Sequence, residues 1–248
     1  MANSCVTLDC QSRSYMDLPI QFASSSFMST SILAAQILGS EHNCEIFQNS
    51  KNEKNEDVAA PIVADSKYSI SEFSLSGINE AFVQYVAFSI TSHLSSCLPR
   101  LVDIQLPSNK FYLSKPGELM VNQIKHFISY VGKYAKLTNA ELSHFYILTT
   151  RMLAEESELI RQGGKSIVSE ANLGTLLLCA ITITTKMERD IPFTNSWWAK
   201  QLGVPLSILN QSEVIFLKKI NFNCNVTQEE YEILYWNFIS DVHCSCWS

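Results

Sequence analysis

The 248-residue sequence predicts an all-α protein, and three observations carry that reading. Apolar residues recur at helical spacing from about Leu75 to the last residues of the chain. Two helix starts are written as capping boxes, Thr138 with Glu141 and Thr227 with Glu230, in which each Thr is followed three residues later by a Glu. No run of alternating polarity suggests a sheet.

The elements follow in order. Residues 1–72 are rich in Ser and Asn, with a charged stretch from Lys51 to Asp57, and read as a mostly disordered leader. One short apolar patch within it, Ile32 to Leu38, fits a short helix. From Leu75 to Leu98 the pattern is helical, with Ile78, Phe82, Tyr85, Val86 and Ile90 on one stripe, and Pro99 stops it. Residues 73–108 are therefore an N-terminal helix and connector, with Pro107 and Pro116 marking the passage into the next unit.

Five helices are expected between Ser114 and Phe222. The first carries Met120, Ile124, Phe127, Ile128 and Val131 on one face, and the second Leu142, Phe145, Tyr146, Thr149, Met152 and Leu153. Gly163-Gly164 breaks the chain. The third, from about Glu170 to Met187, is apolar nearly all round and belongs in the centre of the domain. The fourth is short, Asn195 to Leu202, and ends at Gly203. The fifth starts near Pro205 and runs to about Ile220. After residues 109–224, a last helix and tail occupy 225–248, with Tyr231, Leu234, Tyr235 and Phe238 on its apolar face.

Two charges interrupt this pattern. Glu213 lies seven residues after Leu206 and four before Leu217, on the apolar stripe of the fifth helix. Lys186 closes the most apolar helix of the chain, just after Thr182 and Ile183. A lone buried carboxylate costs several kcal/mol and needs a cation or backbone donors. A polar site shared by Lys186 and Glu213 answers both anomalies.

Composition narrows the function classes. The formal net charge is −6, and no Lys/Arg cluster exceeds the pair Lys218-Lys219, which argues against nucleic acid as a partner. No apolar run approaches the roughly 20 residues that cross a bilayer, so no membrane association is expected. The eight cysteines include no Cys-x-x-Cys pair, and His243-Cys244-Ser245-Cys246 lacks a complementary pair at zinc-site spacing. The five histidines are scattered, and no phosphate loop follows a strand, so neither an enzyme active site nor a cofactor or metal is expected. A soluble chain of the cytoplasm and/or nucleus fits these features.

Between about Phe111 and Phe222 the sequence resembles a cyclin box. Val131-Gly132-Lys133-Tyr134-Ala135-Lys136-Leu137 resembles the end of the first box helix, and Thr184-Thr185-Lys186-Met187-Glu188 the end of the third. Asn195-Ser196-Trp197-Trp198-Ala199-Lys200, with Leu202-Gly203-Val204, resembles the fourth helix of the phosphate-regulon (P/U-type) cyclins. Leu209-Asn210-x-x-Glu213-x-x-x-Leu217, followed by Ile220-Asn221-Phe222, resembles the fifth. Tyr231 and Tyr235 are similar to that subfamily's closing helix.

The resemblance implies a single cyclin box over 109–224, five helices around a buried third one, flanked by N- and C-terminal helices. It implies a non-catalytic regulatory subunit that binds and activates a cyclin-dependent protein kinase, in cell-cycle or nutrient control. Lys186 and Glu213 fall at the positions that dock the kinase's PSTAIRE-like C-helix, with Met187, Leu217 and Phe222 as apolar contacts. The alternative is a cyclin-fold adaptor for a non-kinase, transcription-related partner. Two departures stand out. Leu148-Thr149-Thr150-Arg151 keeps only the Arg of the usual second-helix ending, and Met120-Val121-Asn122-Gln123-Ile124 lacks the Arg of the substrate-docking patch of cell-cycle cyclins.

Overall fold

Every residue from Leu176 to Thr185 is buried, and the helix that carries them is the axle of the fold. The computed structural model describes residues 70–105 and 111–245. In chain order these form α1 (Ile70–Leu75), α2 (Glu80–Leu94), a 3-10 turn (Pro99–Leu101), β1 (Val102–Gln105) and β2 (Phe111–Leu113). There follow α3 (Lys115–Ala135), α4 (Asn139–Arg161), α5 (Leu173–Glu188), α6 (Asn195–Leu202), α7 (Leu206–Lys219) and α8 (Gln228–Ser245). The central helix α5 packs between α4 and α7; α2 lies across α3 and α4, and α6 rests on α7. The leader expected over 1–72 lies almost wholly outside the described residues, as does the end of the His-Cys tail.

The N-terminal helical stretch is divided where one continuous helix was expected. Ser76, Gly77 and Ile78 separate α1 from α2, and Asn79 restarts the helix by accepting the N–H of Phe82 through its side chain. The break is held by Asn139, which is fully buried. Its amide donates to the carbonyl of Phe73 and to Ser76 Oγ, and its Oδ1 accepts the N–H of Asn79. The far end also differs: α2 stops at Leu94, short of Pro99. There the hydroxyls of Ser92, Ser95 and Ser96 bond carbonyls three or four residues back, which unravels the last turn ahead of the proline.

The two short antiparallel strands β1 and β2 were not expected from the sequence. At four and three residues they are too brief to show alternation. Their function in the fold is local. The turn before β1 brings the Leu101 carbonyl against Gly117 in the first turn of α3, so closely that a Cβ at Gly117 would collide with that oxygen. Ser114 caps α3 by accepting the N–H of Gly117, and Lys136 in a left-handed conformation (φ 51°) ends it.

The remaining elements follow the sequence pattern closely. The Thr138–Glu141 capping box opens α4 with both reciprocal bonds in place, and Thr227–Glu230 does the same before α8. Gly203 at φ 64° closes α6. The C-terminal helix docks through Leu234, Tyr235 and Phe238, all buried. Phe238 meets Phe82 with ring centroids 5.0 Å apart, and Tyr235 meets Phe73 at 5.1 Å, so α1, α2 and α8 share one aromatic cluster.

Candidate functional site

Burial stops abruptly at the end of α5. Thr184 and Thr185 are fully buried, and the next three residues, Lys186, Met187 and Glu188, are not. α7 runs beside this end and presents Glu213 to it. The Lys186 ammonium pairs with Glu213 Oε1, and Asn195 from the first turn of α6 donates to the other oxygen, Oε2, at 2.5 Å. The Asn195 amide also donates to Asn210 Oδ1 at 2.9 Å. Three helices thus meet at one carboxylate. The Glu213 side chain is only 12% exposed while that of Lys186 is 35% exposed, so the pair is sheltered from below and open above. On α5, burial pushes the Cys179 thiol far up, a shift to which the Glu213 charge adds and from which Lys186 subtracts.

Several apolar side chains of α5, α7 and the turn after α7 are exposed or only partly covered. Met187 is 52% exposed and Phe222 64%, while Leu217 is half-buried against the core. Sequence reasoning did not single out other exposed apolar residues on these elements. Ile191, in the α5–α6 loop, is 90% exposed, and Val214 and Leu206 on α7 are also open to solvent. The signal for Val214 was its place next to Glu213; nothing in the periodicity singled out Ile191.

Phe222 is presented by an unusual backbone. Asn221 and Phe222 are both left-handed, at φ 52° and 55°, and the Phe222 N–H closes the turn on the Leu217 carbonyl at 2.8 Å. Left-handed backbone in residues other than glycine costs roughly 1–2 kcal/mol each. Here that conformation turns an aromatic ring away from the core. The segment that follows is tied down from α4: Arg151 donates to the carbonyls of Asn223 and Asn225, both at 2.9 Å, and pairs with Glu230 at 2.5 Å. This is the position of the Arg retained in the second-helix ending.

The loop on the other flank is anchored as firmly. Arg189, which ends α5, forms a two-point pair with Glu141, the capping residue of α4. Its guanidinium sits 5.5 Å from the centroid of the Phe193 ring, which stacks on Trp197 at 4.0 Å. In the stretch that matches the substrate-docking patch of cell-cycle cyclins, Met120, Val121 and Ile124 are buried while Asn122 and Gln123 are exposed. Among the described residues no group of three His, Cys, Asp or Glu is placed to hold a metal ion, and no helix is long and apolar enough to cross a membrane.

The Lys–Glu pair stands where α5 meets α7, inside the stretch of sequence that one family model matches. That model, described as cyclin, covers residues 44–224. The chain belongs to the cyclin family. Cyclins are regulatory subunits without catalytic activity of their own, and at family level their role is the regulation of cyclin-dependent kinases. This cyclin is similar to the protein named PHO85 cyclin-7 of Saccharomyces cerevisiae, with 27% identity over 146 residues, which is 56% of this chain. The match spans 50% of that relative's length. The similarity supports the phosphate-regulon type within the family. No solved structure matches the chain.

Proposed function

We propose that this cyclin binds and activates a cyclin-dependent kinase by docking the kinase's PSTAIRE-like C-helix on the surface formed by Lys186, Met187, Glu213, Leu217 and Phe222. The observation that carries the reading is the Lys186–Glu213 pair, partly sheltered and partly open, with the exposed Met187 directly after Lys186 in the chain. A helix laid across it finds a donor and an acceptor for its polar groups and apolar ground on either side. The mechanism is population shift. A kinase whose C-helix is displaced lacks the Lys–Glu ion pair that holds the ATP phosphates. A surface that binds the inward C-helix more tightly stabilises the active state by that difference in affinity.

The test combines association with activity. Purified full-length chain is mixed with a cyclin-dependent kinase bearing a PSTAIRE-type C-helix, and both affinity and phosphotransfer are measured. Glu213→Ala and Lys186→Ala are expected to keep the fold and weaken association by about 1–3 kcal/mol, the range for removing one charge-assisted hydrogen bond from an interface. Wild-type affinity in both variants would falsify the assignment.

A further inference from the structure

A cavity of about 680 Å³ opens between the break that separates α1 from α2 and the turn from α3 to α4, and it shares no residue with the docking surface. Ile78, Val83 and Leu137 give it an apolar lining; Glu80, Lys133 and Lys136 give it the charged part. Glu80 is engaged by Lys125 at 3.2 Å. Both lining lysines are exposed, and among the described residues neither forms an ion pair.

The same cavity has a short free strand edge. Gly77 and Thr138 form an isolated antiparallel bridge, and the hydrogen bond that closes it runs from the Asn139 N–H to the Ser76 carbonyl at 3.1 Å. Gly77 is therefore the non-hydrogen-bonded member of the pair, and its own N–H and C=O point away from Thr138. Among the described residues neither group has a hydrogen-bond partner. The space beside Gly77 is open, since a Cβ built on it would meet nothing within 4 Å. An exposed strand edge beside an apolar cavity with unpaired cations fits an extended peptide whose apolar side chains are bounded by acids.

We propose that residues 56–65 of this chain dock in that cavity as an extended segment, pairing with the backbone of Gly77 and setting acids against Lys133 and Lys136. The segment reads Glu56-Asp57, then seven apolar or small residues including Val58, Ile62 and Val63, then Asp65, with no Lys or Arg among them. That order of acid, apolar run and acid complements the apolar lining and its two lysines. The tether is long enough. Gly77 lies at most about 15 Å from Ile70 along α1 and the two residues after it, and the residues from Asp65 to Ser69 reach about 17 Å when extended. The family model begins at residue 44, so the segment lies within the matched unit. Exposed lysine–carboxylate pairs are individually weak, but a tethered segment meets its site at a high effective concentration. The proposal is independent of the kinase-docking reading.

The experiment uses the full chain without a partner. Zero-length carbodiimide crosslinking followed by mass spectrometry of the monomer is expected to join Lys133 or Lys136 to Glu56, Asp57 or Asp65. Amide exchange at Gly77, followed by NMR, is expected to be about fivefold slower in the wild type than in the double variant Ile62→Asp with Val63→Asp, the scale of one backbone hydrogen bond. The variant Lys133→Glu with Lys136→Glu is expected to exchange at the faster rate. Adding Glu56→Lys and Asp57→Lys to it is expected to restore the slower one, which a merely structural effect of the lysines would not do. Equal Gly77 rates in all four proteins, or no rescue by the swapped charges, overturns the proposal. Crosslinks confined to a dimer fraction overturn it in favour of a second copy. Protection of Gly77 that appears only when an unrelated acidic peptide is added overturns it in favour of a separate partner.

Discussion

Two lysine–glutamate pairs in this chain look alike in the sequence and differ in the fold. Lys186–Glu213 joins α5 to α7 with Lys186 partly open to solvent and the exposed Met187 next to it in the chain. Lys219–Glu156 joins α7 to α4 at 2.6 Å, with the Glu156 side chain wholly buried. Glu156 also accepts Ser166 Oγ at 2.7 Å and the N–H of Ile167 at 2.8 Å, so it fastens the loop that leads into α5. One carboxylate is closed off by structure on every side. The other is left open on the side where a partner can reach it. A charge on an apolar stripe therefore signals only that a partner exists; the surroundings decide whether that partner lies inside the molecule or beyond it.

The comparison breaks most sharply in stability. Glu156→Ala leaves the Ser166 and Ile167 donors without an acceptor and Lys219 without its counter-charge, and is expected to lower unfolding free energy by about 3 kcal/mol in denaturant titrations. Glu213→Ala is expected to lower it by less than about 1 kcal/mol, because Lys186 can turn to water. Equal losses in the two variants would erase the distinction.

Phe222 sharpens the comparison from the other direction. Phe222→Gly relieves a left-handed backbone and removes an exposed ring, so thermal unfolding is expected to show a gain of up to about 1 kcal/mol. The same variant is expected to lose about 2 kcal/mol of kinase affinity, the scale of an interface anchor. A residue that lowers stability while raising affinity is serving the surface and not the core.

A smaller effect concerns acid. Burial raises the Glu156 carboxyl, but Lys219, Ser166 and the Ile167 N–H together outweigh it and hold it below its usual range. Glu188 is held low by His144, and Glu230 is held low by Thr227 and Arg151 against its burial. A depressed carboxyl contributes stability that is fully present above its unfolded pKa, near 4.5, and is lost as pH falls through the folded value. Midpoints in urea are expected to be level above about pH 5 and to drop on further acidification, with a shallower drop in Glu156→Gln. A wild-type profile in that variant would show that the sealed pair carries no linkage.

Much of the fold was legible because helical phase and caps are local. The capping boxes at Thr138 and Thr227, the unbroken apolar surface of the third box helix and the stop at Gly203 all act within a turn or two of their own residues. The break at Ser76–Ile78 was not legible, because it is held by Asn139, some 60 residues away in the chain. The strands β1 and β2 escaped for lack of length. Of the site, Lys186 and Glu213 were found because each violates the phase of its own helix. Glu156 violates the phase of α4 in the same way, following Met152 and Leu153 on the buried face, and was passed over. Ile191 carries no phase signal at all, because it sits in the α5–α6 loop outside any helix.

Hydrogen–deuterium exchange on the full chain, alone and bound to a PSTAIRE-type cyclin-dependent kinase, tests the central claim most directly. The docking account predicts that binding slows exchange in two stretches, residues 186–191 and 213–222, while the α4–α5 loop around Ser166 and Ile167 keeps its free-state rates. Protection at the α4–α5 loop or along α8, with 186–191 and 213–222 unchanged, would contradict it.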